Sequence, residues 1–102
     1  MPETSRQELH RKLNRETAKL AWKELQRHFA RGVVVVVSPE LDLVEVAVAM
    51  AEDDRPSVHA WSEQGLLSRA SSDDARRWQE RDPALWAVVV APWVVVQEER
   101  LR

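Results

Sequence analysis

The sequence predicts a single α+β domain: a small mixed sheet of three strands flanked by about four helices, in the order α-β-α-α-β-α-β. Three observations carry this. Val33–Val37 is an unbroken β-branched run, and residues 85–97 form a second valine-rich ribbon broken only by Ala91-Pro92. Runs without polar alternation mark strands covered on both faces. Elsewhere apolar residues recur at helical spacing, most densely over residues 41–52.

The bulk properties agree. A chain of 102 residues fits one domain, residues 1–102, with 1–5 and 98–102 expected as frayed ends. An apolar fraction of 44% is too high for a disordered chain. The net charge of −2 offers no bulk attraction to nucleic acid or an anionic membrane. Without cysteine there can be no disulfide, thiol nucleophile or thiolate metal site. No apolar run reaches the roughly 18 residues of a spanning helix, and residues 1–31 lack the pattern of a signal peptide. A cytoplasmic protein with no membrane partner is the expectation.

Each element has its own signal. From Ser5 to Ala30 the spacing predicts one helix, with Leu9, Leu13 and Leu20 on one stripe and Ala18, Ala21, Trp22, Leu25 and Phe29 on the next. Gly32 ends it. Val33–Val37 follows as a buried strand. The second helix, residues 41–52, starts at Ser38-Pro39 or at Asp42 with Glu45 as a capping pair. Leu43, Val44, Val46, Ala47, Val48, Met50 and Ala51 cover most of its surface, leaving Asp42, Glu45, Ala49, Glu52 and Asp53 as a narrow polar face. A short helix from Pro56 to Gln64 turns Val58 and Trp61 inward. Leu66–Ala70 is a short strand, and Ser71-Ser72 caps a helix over 73–81 with Ala75 and Trp78 inward. Ala-Pro is a poor two-residue hairpin turn, since such turns favour glycine or asparagine. Residues 85–97 therefore read as one bent strand, or as two halves with a bulge at Pro92.

Three segments carry a resemblance. Glu16-Thr17-Ala18 with Trp22-Lys23-Glu24-Leu25, residues 37–47 (Val-Ser-Pro-Glu-Leu-Asp-Leu-Val-Glu-Val-Ala) and residues 89–97 (Val-Val-Ala-Pro-Trp-Val-Val-Val-Gln) resemble the domain-of-unknown-function 2288 family of small bacterial proteins. The resemblance covers about residues 8–98. It implies a bacterial origin and supplies no catalytic residue, ligand, cofactor or partner.

Four groups of residues invite a functional reading. The carboxylates Asp42, Glu45, Glu52 and Asp53 share a helix face and have the oxygen chemistry of a magnesium or calcium site; the plain alternative is a solvated acidic stripe. Thr17, Glu24 and His28 fall together at helical spacing as a polar network, which would either orient a histidine base or simply satisfy a buried one. Residues 41–70 have the order of a helix-turn-helix with a wing, offering Arg55, Ser57, His59 and Arg69 to DNA. Against that, no Lys or Arg occurs between Gly32 and Asp54, and the link Ala51–Pro56 looks long for the motif. Finally, Trp86 and Trp93 with the second valine run make an apolar ribbon suited to a dimer interface or to burial within the monomer.

The reading that best fits is a non-catalytic cytosolic interaction or regulatory module, with no cofactor, whose partner is itself or another protein. The basic stripe Lys12, Arg15, Lys19, Lys23 and the acidic face around Asp42 and Glu45 would steer that contact, in a homodimer or with a charged partner. A winged-helix DNA regulator and a small metal-dependent enzyme are the alternatives.

Overall fold

The computed structural model describes residues 2–99. Among these, five helices and five strands follow in the order α1 (Pro2–Glu16), β1 (Ala18–Leu20), α2 (Trp22–Ala30), β2 (Val34–Val37), α3 (Leu43–Ala51), α4 (Arg55–Glu63), β3 (Leu67–Arg69), α5 (Ser72–Arg81), β4 (Leu85–Val90) and β5 (Trp93–Glu98). The α+β class stands. The expected three strands and four helices become five and five, and the difference arises at two places.

The first is the N-terminal helix, which is two helices with a strand between. The Thr17 hydroxyl donates back to the Leu13 carbonyl at 2.7 Å, and its N–H to Asn14 at 3.3 Å, closing α1. The chain then extends as β1, antiparallel to β4 with Ala18, Lys19 and Leu20 opposite Ala87, Trp86 and Leu85. Helix resumes at Trp22, where the Glu24 carboxylate accepts the Ala21 N–H at 3.1 Å. An open sheet edge overrides the helix propensity of three residues.

The second is the valine ribbon at 85–98. It is a hairpin of β4 and β5, paired antiparallel from Val90↔Trp93 to Leu85↔Glu98, and not one bent strand. The Ala91–Pro92 peptide at its tip is cis. A cis proline as the second turn residue is a distinct way to reverse a chain and needs no glycine.

The strand order is β1-β4-β5-β2-β3. At its centre β2 runs parallel to β5, with Val34, Val35 and Val36 opposite Val94, Val95 and Val96. The two valine runs therefore lie side by side, as their composition requires. Their alternate side chains feed two cores. Val35, Val37, Val88 and Val95 pack with Leu13 of α1, Leu67 of β3 and the apolar face of α3. Val34, Val94 and Val96 pack with Leu85, Ala87, Trp22 and Leu25 of α2, and Trp78 of α5. The sheet is thus the middle of three layers. Complete burial of Leu25, Leu85, Trp78 and Val95 contributes about 1.5–3 kcal/mol for each aliphatic side chain.

Capping fixes the other boundaries. Asp42, not Ser38, starts α3, accepting from the N–H groups of Val44 and Glu45 at 2.9 and 3.1 Å. Within α3 the polar face shifts slightly: Ala49 is buried, whereas Ala51 is exposed. Ser71 and Asp74 exchange reciprocal bonds of 2.9 and 3.1 Å at the start of α5. Glu98 belongs to β5, and the Glu99 N–H donates to Ala84 at 2.9 Å; the expectations for residue 1 and residues 100–102 lie outside the described residues.

Candidate functional site

Because β2 and β5 are parallel, their carboxyl ends lie together, and this is where ligands gather in open α/β sheets. Gln97 and Glu98 there point to opposite faces. On the α3 side, the Gln97 amide donates to the carbonyls of Ser38 and Leu41 at 2.9 and 2.7 Å. It closes one wall of an open cleft lined also by Asn14, Thr17, Asp42 and Trp86. On the α5 side, the Glu98 carboxylate accepts from the Trp78 indole N–H at 2.9 Å and the Arg77 Nε at 2.9 Å, with a further contact to Arg77 Nη2. Arg77 also reaches Asp74 at 3.0 Å. The hydrogen bond from Glu98 raises the Arg77 pKa further above the usual arginine value, so the guanidinium is a fixed cation. The arrangement braces α5 against β5. In the sequence the charged stretch 98–102 reads as a tail, which hides Glu98; only the spacing of Asp74 and Arg77 on one helix turn is visible there.

The acidic candidates are dispersed into local tasks. Asp42 is a helix cap. Glu45 lies 3.7 Å from Arg6 and 3.2 Å from His10, and Glu52 also meets Arg6. Asp53, at φ 58°, pairs with Arg55 at 3.3 Å. No group of three His, Asp or Glu among the described residues is placed to hold a metal ion. The α1–α3 ion pairs are made within one chain, and by Arg6 and His10 in place of the expected basic stripe. That stripe is itself broken: Lys12 and Arg15 lie on α1, Lys19 on β1 and Lys23 on α2. Lys12 pairs with Glu16 at 3.9 Å and Lys19 with Glu99 at 2.8 Å. The same break separates the polar network. Thr17 caps α1, Glu24 caps the start of α2 and His28 lies in the last turn of α2.

The residues offered to DNA are similarly engaged. Ser57 donates to Asp54 at 2.8 Å, and His59 lies 3.9 Å from Glu63. Arg69 lies on β3, 5.1 Å from the Trp93 ring. The α3–α4 link is only residues 52–54, which is shorter than expected and within the length of a helix-turn-helix turn. The charge is what opposes that reading. Lys19 lies over Trp86 at 5.1 Å as Arg69 does over Trp93, so a cation covers each of these two half-buried tryptophans.

One feature is left open. β1 reaches only Ala87, so Val88–Val90 has no strand neighbour on that side among the described residues. Val89, in this stretch, is 58% exposed and is the only large apolar side chain exposed among the described residues.

Residues 8–98 match a family described as "Protein of unknown function (DUF2288)". The chain belongs to this family. It is also similar to a solved structure described as "NMR solution structure of PA1075 from Pseudomonas Aeruginosa", with 56% identity and a TM-score of 0.82, covering 91% of this chain and 86% of that one. No curated protein matches the chain. The DUF2288 match spans every element from β1 to β5. No helix among the described residues is long and apolar enough to cross a membrane.

Proposed function

We propose that this chain is a non-catalytic interaction module of the bacterial cytosol, and that it docks an extended segment of a partner against the open end of β4. The observation that carries this is Val89: a valine 58% exposed on a stretch of β4 that pairs with β5 and has no strand on its other side among the described residues. Strand addition suits such a site, since main-chain hydrogen bonds supply affinity and alternate side chains supply selectivity. The carboxylates that could have served a reaction are engaged in capping helices or pairing with cations, which favours binding over chemistry.

The test is retention of partners from native bacterial extract by the unaltered chain and by Val89→Lys. Lysine on a strand edge blocks further pairing. Proteins held by the first and lost by the second are expected. Identical retention by both would remove β4 as the docking site.

A further inference from the structure

We propose that the open cleft beside Gln97 and Asp42 binds a guanidinium group, carried by a small molecule or by the arginine side chain of a peptide. The site is separate from the docking proposed at Val89 and does not depend on it.

The hydrogen-bond inventory of the cleft is the first argument. Five polar side chains line it: Asn14, Thr17, Asp42, Trp86 and Gln97. Gln97 commits both amide hydrogens to the Ser38 and Leu41 carbonyls, at 2.9 and 2.7 Å. A carbonyl can only accept, so these bonds fix the amide's orientation and leave Oε1 as its open atom. Thr17 commits its hydroxyl hydrogen to the Leu13 carbonyl at 2.7 Å and keeps only acceptor capacity. Asp42 caps α3 through Oδ1 alone, so Oδ2 meets no donor among the described residues. Three of the five side chains thus offer acceptors and no donor. Asn14 offers both, and Trp86 adds one indole N–H. A donor-rich ligand answers this wall.

Charge is the second argument. Asp42 is the one charged residue lining the cleft. Glu45 and Glu52 meet Arg6, and Asp53 meets Arg55, but Asp42 has no cation within ion-pair distance among the described residues. The matching ligand is a cation. A bare metal ion would find a single carboxylate, with no group of three His, Asp or Glu among the described residues to hold it.

Shape selects an organic cation. The cleft has a volume of about 410 Å³, and the rest of its wall is aliphatic, which suits a charged head on a short apolar stem. A guanidinium carries donors along several edges and can reach more than one acceptor, where an ammonium is a point charge. The Trp86 ring already takes a cation on one side: Lys19 lies 5.1 Å from it, with its own charge answered by Glu99 at 2.8 Å.

The test is an NMR titration of the full chain with ethylguanidinium chloride at constant ionic strength. Saturating amide shifts around Asn14, Asp42 and Gln97, together with the Trp86 indole N–H, are expected. Dissociation at about 0.5–5 mM suits so few contacts in an open cleft. Asp42→Asn keeps a capping oxygen while removing the charge, so it should stay folded and bind about tenfold more weakly. Asn14→Ala, at an exposed position, should bind about threefold more weakly. Asp73→Asn, an acidic residue in the first turn of α5, should bind as the unaltered chain does. Tetramethylammonium, a cation without N–H donors, should give no saturating shift. A blocked pentapeptide with a central arginine separates the two carriers: tighter binding than ethylguanidinium assigns the site to a peptide side chain, and equal or weaker binding assigns it to a small molecule. No saturating shift at the cleft, undiminished binding by Asp42→Asn and Asn14→Ala, or equal binding of tetramethylammonium overturns the proposal.

Discussion

The indole N–H of Trp78 donates to the carboxylate of Glu98 at 2.9 Å, joining the most buried aromatic residue of the chain to the last residue of β5. Trp78 is fully buried in the core between α2 and α5, within 5.6 Å of the Trp22 ring. Its one polar atom has this single outlet. The same carboxylate holds Arg77, so Glu98 serves one neutral donor and one cation.

Glu98→Ala should therefore destabilise the fold by about 1–3 kcal/mol, because it strands a buried donor. Glu98→Gln should lose less, since its amide oxygen can still accept from Trp78 while the charge pair with Arg77 is gone. Urea unfolding followed by tryptophan fluorescence measures both. Equal losses would show that the indole bond contributes nothing.

Gln97→Leu should cost about 1–3 kcal/mol. It deletes both donors to the Ser38 and Leu41 carbonyls. The Ser38–Leu41 segment should then exchange its amide hydrogens faster, while those of the β4–β5 hairpin should be unchanged. Hydrogen exchange read by NMR distinguishes the two regions.

Asp42→Ala removes the cap of α3 and should cost about 1 kcal/mol, with Asp42→Ser recovering most of it. If Asp42 served a cation instead, magnesium or calcium would raise the melting temperature of the unaltered chain and not of the variant. The capping role predicts no such difference.

Gly65 has φ +76°, and nothing lies within 4 Å of where a Cβ would sit. Gly65→Ala should thus cost about 1–2 kcal/mol from backbone conformation alone. Gly65→Asn should cost less, because asparagine tolerates this region better. Thermal unfolding of the two variants gives the comparison; equal losses would point to a steric cause instead.

What was legible in the sequence followed from composition. Five consecutive valines at 33–37 have no polar face to offer water, so a covered strand against the second ribbon was the natural outcome. The near-continuous apolar surface of residues 43–50 likewise required a helix laid on that sheet. What was not legible depended on partners distant in sequence. Thr17 to Ala21 contains no glycine or proline, and the apolar spacing on either side continues in phase; only the vacant flank of β4 turns Ala18–Leu20 into strand. Ala21 is also a poor cap, so α2 begins without a signal. The break at Thr17 then undid two inferences drawn from an unbroken helix: the basic stripe and the grouping of Thr17, Glu24 and His28. Ala91-Pro92 lacks the glycine or asparagine of a left-handed hairpin turn, and a cis proline reverses the chain there instead. For the candidate site, Val89 is indistinguishable in the sequence from the other valines of its run; β1 begins at Ala18, opposite Ala87, two residues short of the position that would face Val89.

The parallel pairing of Val35 with Val95 has a consequence for the order in which the molecule can be made. These partners are sixty positions apart, so β2 is made long before the strand it pairs with in parallel. Until then β2 has only β3 beside it, and a valine-rich flank waits without its neighbour. The centre of the sheet therefore closes only when β5 arrives. A nascent chain stalled before Val94 would be the form most in need of a chaperone.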